Sequence, residues 1–305
     1  MPQQHSHFLP YRNGQLHLRE IAPSGEQPRQ PVLMLHGSMS NGKVFYTESG
    51  KGLACLLAQR GHPVYVMDVF GNGQSKPRLT GGEEFGQTEV ITEQIPLVHD
   101  WIVKRHQQAL HWLGHSWGTI LLASHLVRFP KRRPQVQTLS GFASKKTIYS
   151  NHLKRKFMVN LIWNRFCPML TRRYGYFPAK RFKLGMDNET TASLLANVEW
   201  VNSSQWRDQD GFCYHAASRQ FDWPPSWFFA GQGDSVLGNK NDVRAFLRDS
   251  DNHNAKLSVL SQHNGNRQDY DHTGLLVHPD AFNDHLPDFA DWLAQQEAAS
   301  ESQAN

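Results

Sequence analysis

The sequence predicts an α/β protein, with a mostly parallel, doubly wound sheet and a single helical insertion. Three observations point there. Short continuous apolar runs recur along the chain, as expected of strands buried on both faces of a parallel sheet. Most are followed by a stretch whose apolar residues repeat at helical spacing, and strand-then-helix alternation implies a sheet covered on both sides. The alternation lapses once, between residues 145 and 225, where helical patterns follow one another without a clear strand.

The elements follow in order. "HFLPYRNGQLHLREIAP" (residues 7–23) reads as a hairpin turning at Asn13-Gly14, a pair that tolerates the positive φ such turns need. Buried strands are expected in "PVLMLHG" (31–37), "VYVMDVFG" (64–71), "ALHWLG" (109–114), "QVQTLSG" (135–141), "SWFFAG" (226–231) and "KLSVLSQ" (256–262). Helical patterns run over Tyr46–Arg60, Glu89–Arg105, Thr119–Phe129, Asp242–Leu247 and Ala281–Leu293. A long structureless connection is uncommon inside a compact domain, so the segment holding "HLKRKFMVNLIWNRF" and "ETTASLLANVEWV" reads as a helical insertion. The chain thus divides into a core (1–143), an insertion (144–219) and the rest of the core (220–305). The polar ending "QQEAASESQAN" is expected to fray.

Composition removes several classes. No apolar run approaches the ~18–20 residues of a membrane span. The first residues lack a basic stretch leading into an apolar one, so no secretory signal is expected. Cys55, Cys167 and Cys213 are too few and too scattered for a disulfide framework, which makes a reduced, cytoplasmic setting the default. No metal-ligand spacing stands out among the 17 histidines, and neither a metal nor another cofactor is expected. Charge is uneven: thirteen Lys/Arg against five Asp/Glu between Lys145 and Arg219 give +8 locally, although the whole chain carries +5. No recognition module accompanies that basic segment, so nucleic acid is not an expected partner.

The chemistry concentrates in "GHSWG", Gly114 to Gly118. Glycine weakens regular structure, so two of them around one serine, between an apolar run and a helical pattern, need a backbone reason. A strand-to-helix turn too tight for a Cβ is one. It would lift Ser116 clear of the sheet edge, the G-x-S-x-G arrangement of a nucleophilic serine. Serine is a weak nucleophile at neutral pH and needs a histidine base oriented by a carboxylate.

With strand, elbow and helix in register, the chain resembles the α/β-hydrolase superfamily, its carboxylesterase-like members in particular. The resemblance covers nearly everything except the insertion and the termini. It implies an α/β-hydrolase fold, and it implies that the insertion is a lid. It also implies an oxyanion hole from the backbone N–H groups of Trp117, just after the serine, and of Ser38, after the His-Gly pair of "LMLHGSMS" (33–40). His36 is then a brace for that loop. "DVFGNGQS" (68–75) resembles a structural loop of the family; a dinucleotide fingerprint would need a glycine where Lys76 stands. The family order of serine, acid, histidine assigns Asp234 in "SWFFAGQGDSVLG" as the acid, with Asp242 as runner-up. "DHTGLLVHPDAFNDHLPDFADWL" (271–293) assigns His272 as the base and puts His278 near a helix cap; His263 stays open as an alternative base. One departure is Asp271, where the family usually carries glycine.

Serine at the elbow argues against haloalkane dehalogenases and epoxide hydrolases, which carry aspartate there. The basic insertion argues against proline iminopeptidases, which hold a substrate ammonium with carboxylates. What the resemblance implies is hydrolysis of a small-molecule acyl ester or thioester, anionic or lipid-like on the evidence of the basic segment. An iminopeptidase-like amidase and a binding protein that has kept the fold without the chemistry are the alternatives. Phe157, Trp163, Phe166, Tyr174, Tyr176 and Phe177 are candidates either for an acyl pocket or for the insertion's own core.

Overall fold

The computed structural model describes residues 2–25, 28–149 and 156–304, with the side chains of 156–160, 303 and 304 excepted. The hairpin comes first, as β1 (Gln4–Tyr11) and β2 (Gly14–Ile21), followed by β3 (Val32–Leu35), β4 (Val64–Met67), β5 (Leu110–His115) and β6 (Val136–Phe142). A two-residue ribbon, β7 (Tyr176–Phe177) with β8 (Glu189–Thr190), lies within the insertion, and β9 (Ser226–Gly231) and β10 (Ala255–Leu260) complete the set. Eight strands form one sheet in the order β1-β2-β4-β3-β5-β6-β9-β10. The pairings from β4 to β10 are parallel, while β1 and β2 add an antiparallel edge.

The apolar runs are continuous because both faces are covered. Val32, Met34, Val64 and Val66 point to one side, into a core shared with the helix Leu53–Gln59 and the C-terminal helix His285–Ala304. Leu33, Leu35, Tyr65 and Met67 point to the other, against the helices Ile95–His106 and Trp117–Arg128. Each such side chain, fully buried, contributes roughly 1.5–3 kcal/mol of transfer free energy. The period-2 alternation is present but carries no polar half.

Several boundaries differ from the sequence reading, each for a local reason. The hairpin turns at Arg12-Asn13, because Gly14 already pairs with Tyr11 and its neighbour Gln15 exchanges backbone hydrogen bonds with Lys76. Only the second half of the Tyr46–Arg60 pattern is helical. Thr47 closes a turn there, accepting from Lys51 N–H through its hydroxyl, so the helix starts at Leu53. The Glu89–Arg105 pattern becomes a helix with a π turn at Val90–Gln94, just ahead of Pro96, which lacks the N–H an unbroken α-ladder would use. The last helix continues through the polar ending to Ala304. Glu297 ties it down, accepting from Arg29, from Gln30 N–H and from His111.

Candidate active site

Ser116 sits between β5 and the helix Trp117–Arg128 with φ 52° and ψ −121°, a conformation that side chains seldom adopt. The flanking glycines are required by contact. A Cβ on Gly114 would lie 2.3 Å from Thr119 N, and one on Gly118 would lie 2.2 Å from Leu35 O. The helix is therefore pressed against β5 and β3 so closely that only hydrogen fits. Ser116 N–H donates to Phe142 O at 2.7 Å, fixing the elbow to β6. Trp117 opens the helix, where the first amides have no intrahelical acceptor.

The histidine and carboxylate come from the far half of the chain. Asp234 follows β9, and its Oδ2 accepts from His272 Nδ1 at 2.6 Å. Its Oδ1 accepts the amides of Leu237 (2.8 Å) and Val236 (3.3 Å). Burial pushes the Asp234 pKa up, but the hydrogen bond and charge of His272 and the surrounding amides outweigh it and hold the carboxyl ionised. Ser116 Oγ is not hydrogen-bonded to His272 in this structure; both side chains border one cavity of about 350 Å³, together with Ser38, Trp117 and Trp163. Nucleophile–base hydrogen bonds are often loose until substrate orders them.

The competing residues lie elsewhere. Asp242 is in the first turn of the helix Lys240–Asp249 and accepts Tyr149 N–H at 2.9 Å. His263 is exposed on a short 3-10 turn. His278 caps the following 3-10 turn by accepting Asp280 N–H. Asp271, the departure from the family pattern, accepts the amides of Thr273 and Gly274 and so shapes the loop just after His272.

The surrounding loops are held by polar contacts. His36 Nε2 accepts from Val69 N–H at 3.1 Å while Nδ1 faces Gly37 O, bracing the loop ahead of Ser38. Asp68 accepts from Gly42 N–H, Gln74 N–H and His17, which makes residues 68–75 a structural clasp. His17 Nε2 in turn meets Ser6 Oγ at 2.9 Å, so Ser6–His17–Asp68 reproduces the bonding order of a triad. Ser6, however, is mid-strand in β1, paired with Arg19, with no helix start beside it to offer oxyanion donors.

Three contributors escaped the sequence reading. His115, inside the elbow motif, faces His272 O through Nε2 at 2.9 Å; burial, then the nearby His272 charge, pushes its pKa down to about 3, so it stays a neutral donor. Glu189, on β8, accepts from Ser38 Oγ (2.8 Å) and Met39 N–H (2.9 Å), tying the insertion to the Ser38 loop. Lys145 borders the cavity itself. An acidic residue within a basic segment was the available sequence signal for the second; the other two needed coordinates.

The insertion's basic residues Arg172, Arg173, Lys180 and Arg181 are exposed and do not border the cavity. Of its aromatics, Trp163 reaches the cavity, Phe177 is buried with Cys167, Leu170 and Leu194, and Phe166 is partly exposed on an outer groove. Tyr174 packs against that small core, Tyr176 is half-buried on β7, and the side chain of Phe157 lies outside the described residues. Among the described residues, His62, His111 and Glu297 form a group with metal-ligand atoms within 4.8 Å of one another. Arg29 and Gln30 N–H already occupy the Glu297 carboxylate, and His111 Nε2 faces it at 3.2 Å. The group reads as the polar anchor of the last helix.

Residues 30–144, which carry β3 to β6 and the elbow, match the model of the α/β-hydrolase fold family. A monoglyceride lipase from Saccharomyces cerevisiae superposes with a TM-score of 0.69 at 16% identity, covering 97% of this chain and 96% of that one. The chain has the α/β-hydrolase fold. Among curated relatives, the abhydrolase domain-containing protein abhd-5.2 of Caenorhabditis elegans is 24% identical over 182 residues, 56% of this chain and 38% of its own length. Human gastric triacylglycerol lipase is 27% identical over 143 residues, 44% of this chain and 36% of its own length. The chain thus spans well under half the length of these hydrolase relatives. Among its described residues no helix is long and apolar enough to cross a membrane.

Proposed function

We propose that this hydrolase-fold chain is a serine esterase acting through an acyl-enzyme, with Ser116 as nucleophile, His272 as base and Asp234 as its orienting acid. The observation that carries the reading is the buried Asp234–His272 pair opening on the same cavity as a serine held at positive φ. Ser116 Oγ attacks the ester carbonyl as His272 Nε2 takes its proton. Asp234 stabilises the imidazolium that forms. The oxyanion is met by the N–H groups of Trp117 and Ser38. Collapse breaks the acyl–oxygen bond, the alcohol leaves with the proton from His272, and water repeats the sequence to free the acid.

Residues 144–219 act as a lid in this reading, tied to the oxyanion loop by Glu189. The cavity wall is mainly apolar, with Ile148, Ile162, Trp163 and Val201 among its residues, which suits an acyl chain. No carboxylate borders it among the described residues, which favours esters over substrates carrying an ammonium group. Purified protein is expected to hydrolyse p-nitrophenyl esters with an optimum at short to medium acyl length. Ser116→Ala should abolish turnover; turnover of any such ester at the wild-type rate by that variant would refute the assignment.

A further inference from the structure

Two adjacent lysines follow β6, and both are buried, yet they are treated differently. Lys146 Nζ donates to the carbonyls of Ser203 (2.7 Å), Trp200 (3.3 Å) and Gln205 (3.4 Å), so its charge is spent on holding the chain together. Lys145 is 8% exposed, borders the catalytic cavity, and has neither a hydrogen bond nor an ion pair among the described residues. Its Nζ stands 6.0 Å over the Trp117 ring. The opposite charges that act on it, without a hydrogen bond or ion pair, are Asp234 and Asp242. Asp234 is committed to His272 and two amides, and Asp242 accepts from Tyr149 N–H.

A buried ammonium without a partner is costly, and proteins keep one mainly where something pairs with it. We propose that Lys145 is the anion subsite of the cavity, binding a carboxylate carried by the substrate while the ester carbonyl rests at Ser116. The substrate class is therefore an ester with a second, free carboxylate close to the scissile bond, such as the half-ester of a short dicarboxylic acid. Burial pushes the Lys145 pKa down to about 8, which leaves it charged at neutral pH and ready to pair. The cavity wall is mainly apolar, with Lys145 its one lysine or arginine among the described residues, and it screens that charge little from the substrate. The proposal rests on the serine-esterase reading.

The test uses two matched pairs of esters on the full chain. Mono-p-nitrophenyl glutarate and its terminal amide place the charge on the acyl side; 4-carboxyphenyl acetate and its amide place it on the alcohol side. Wild type should prefer the charged member of one pair by at least roughly tenfold in kcat/KM, expressed mainly in KM, as expected when a site's charged group is left unpaired by the neutral analogue. The preference should persist in high salt, since the contact is buried. Lys145→Met should bring the ratio within the pair close to one, and Lys145→Arg should restore part of it. In a second measurement, free glutarate should raise the Tm of wild type but not of Lys145→Met. Hydrolysis of neutral esters with no preference in either pair, or a preference kept by Lys145→Met, would overturn the subsite. Failure to hydrolyse any of the four, together with no labelling of Ser116 by a fluorophosphonate, would instead refute the esterase reading and the subsite with it.

Discussion

Acidification should unfold this protein well above the pH at which carboxylates ordinarily titrate, because its core is rich in buried histidine. His62, His115 and His125 are almost wholly inaccessible, and burial pushes their pKa values down to about 4, 3 and 3. Each stays neutral in the folded state while the unfolded chain takes up a proton near pH 6.5. The stability they contribute is therefore complete above about pH 6.5 and falls as pH drops toward the folded values. One proton of difference is worth about 1.4 kcal/mol per pH unit, so three give about 4 kcal/mol per unit below pH 6, and about 5 kcal/mol between pH 7 and pH 5. Asp68, Asp234 and Glu297, whose pKa values are lowered, add to the same trend at lower pH. Against a typical stability of ~5–15 kcal/mol, the loss is roughly a third to the whole of it. Urea-unfolding midpoints at pH 7, 6 and 5 measure it. His125→Phe isolates one proton: the imidazole packs beside Trp112 and Phe129, at 5.7 and 4.8 Å, and the substitution removes its contact with Ile91 O while keeping an aromatic ring. That variant should lose about 1 kcal/mol at pH 7 and about a third of the pH slope. A midpoint unchanged between pH 7 and pH 5 would refute the reasoning.

Other perturbations follow from the same geometry. Gly118→Ala should destabilise by several kcal/mol, or fail to fold, because its Cβ would meet Leu35 O; a melting temperature within 2–3 °C of wild type would contradict the close approach, since about 1 kcal/mol shifts a domain of this size by roughly that much. His272→Ala and Asp234→Asn should each lower kcat by several orders of magnitude, whereas His278→Ala and His263→Ala should change it little, measured with a p-nitrophenyl ester. Glu189→Ala releases the Ser38 loop and should lower kcat by up to about 10²–10³-fold with a smaller change in KM, the loss expected of one misplaced oxyanion donor. Charge reversal at Arg172, Arg173, Lys180 and Arg181, which lie outside the cavity, should slow capture of anionic esters only at low salt; an effect that survives 1 M salt, where the Debye length is about 3 Å, would contradict a steering role.

Much of the fold is legible in the sequence because both faces of the sheet are buried, and burial leaves the continuous apolar runs at β3, β4, β5, β6 and β9. The elbow is legible for a stricter reason: two close backbone approaches force glycine on either side of Ser116. Boundaries set by tertiary contact are not legible. The last helix persists through a polar sequence because Glu297, near its end, is gripped by Arg29 and faces His111, partners more than 180 residues away in sequence. Lys145 and Lys146 are indistinguishable as sequence; only the fold shows one donating to carbonyls and the other left in the cavity wall. Likewise Ser6–His17–Asp68 has the residues and bonding order of a triad, and its place in an edge strand, away from the elbow and the cavity, sets it apart from Ser116.

That duplication makes covalent labelling the most direct trial of the central assignment. Wild-type protein treated with a fluorophosphonate and digested for mass spectrometry should carry the phosphonyl group on Ser116. Labelling should vanish in Ser116→Ala, slow greatly in His272→Ala, and continue undiminished in Ser6→Ala. A wild-type chain that is folded but unlabelled, or a Ser116→Ala protein labelled at Ser6 or another serine, would contradict the assignment of Ser116 as the nucleophile.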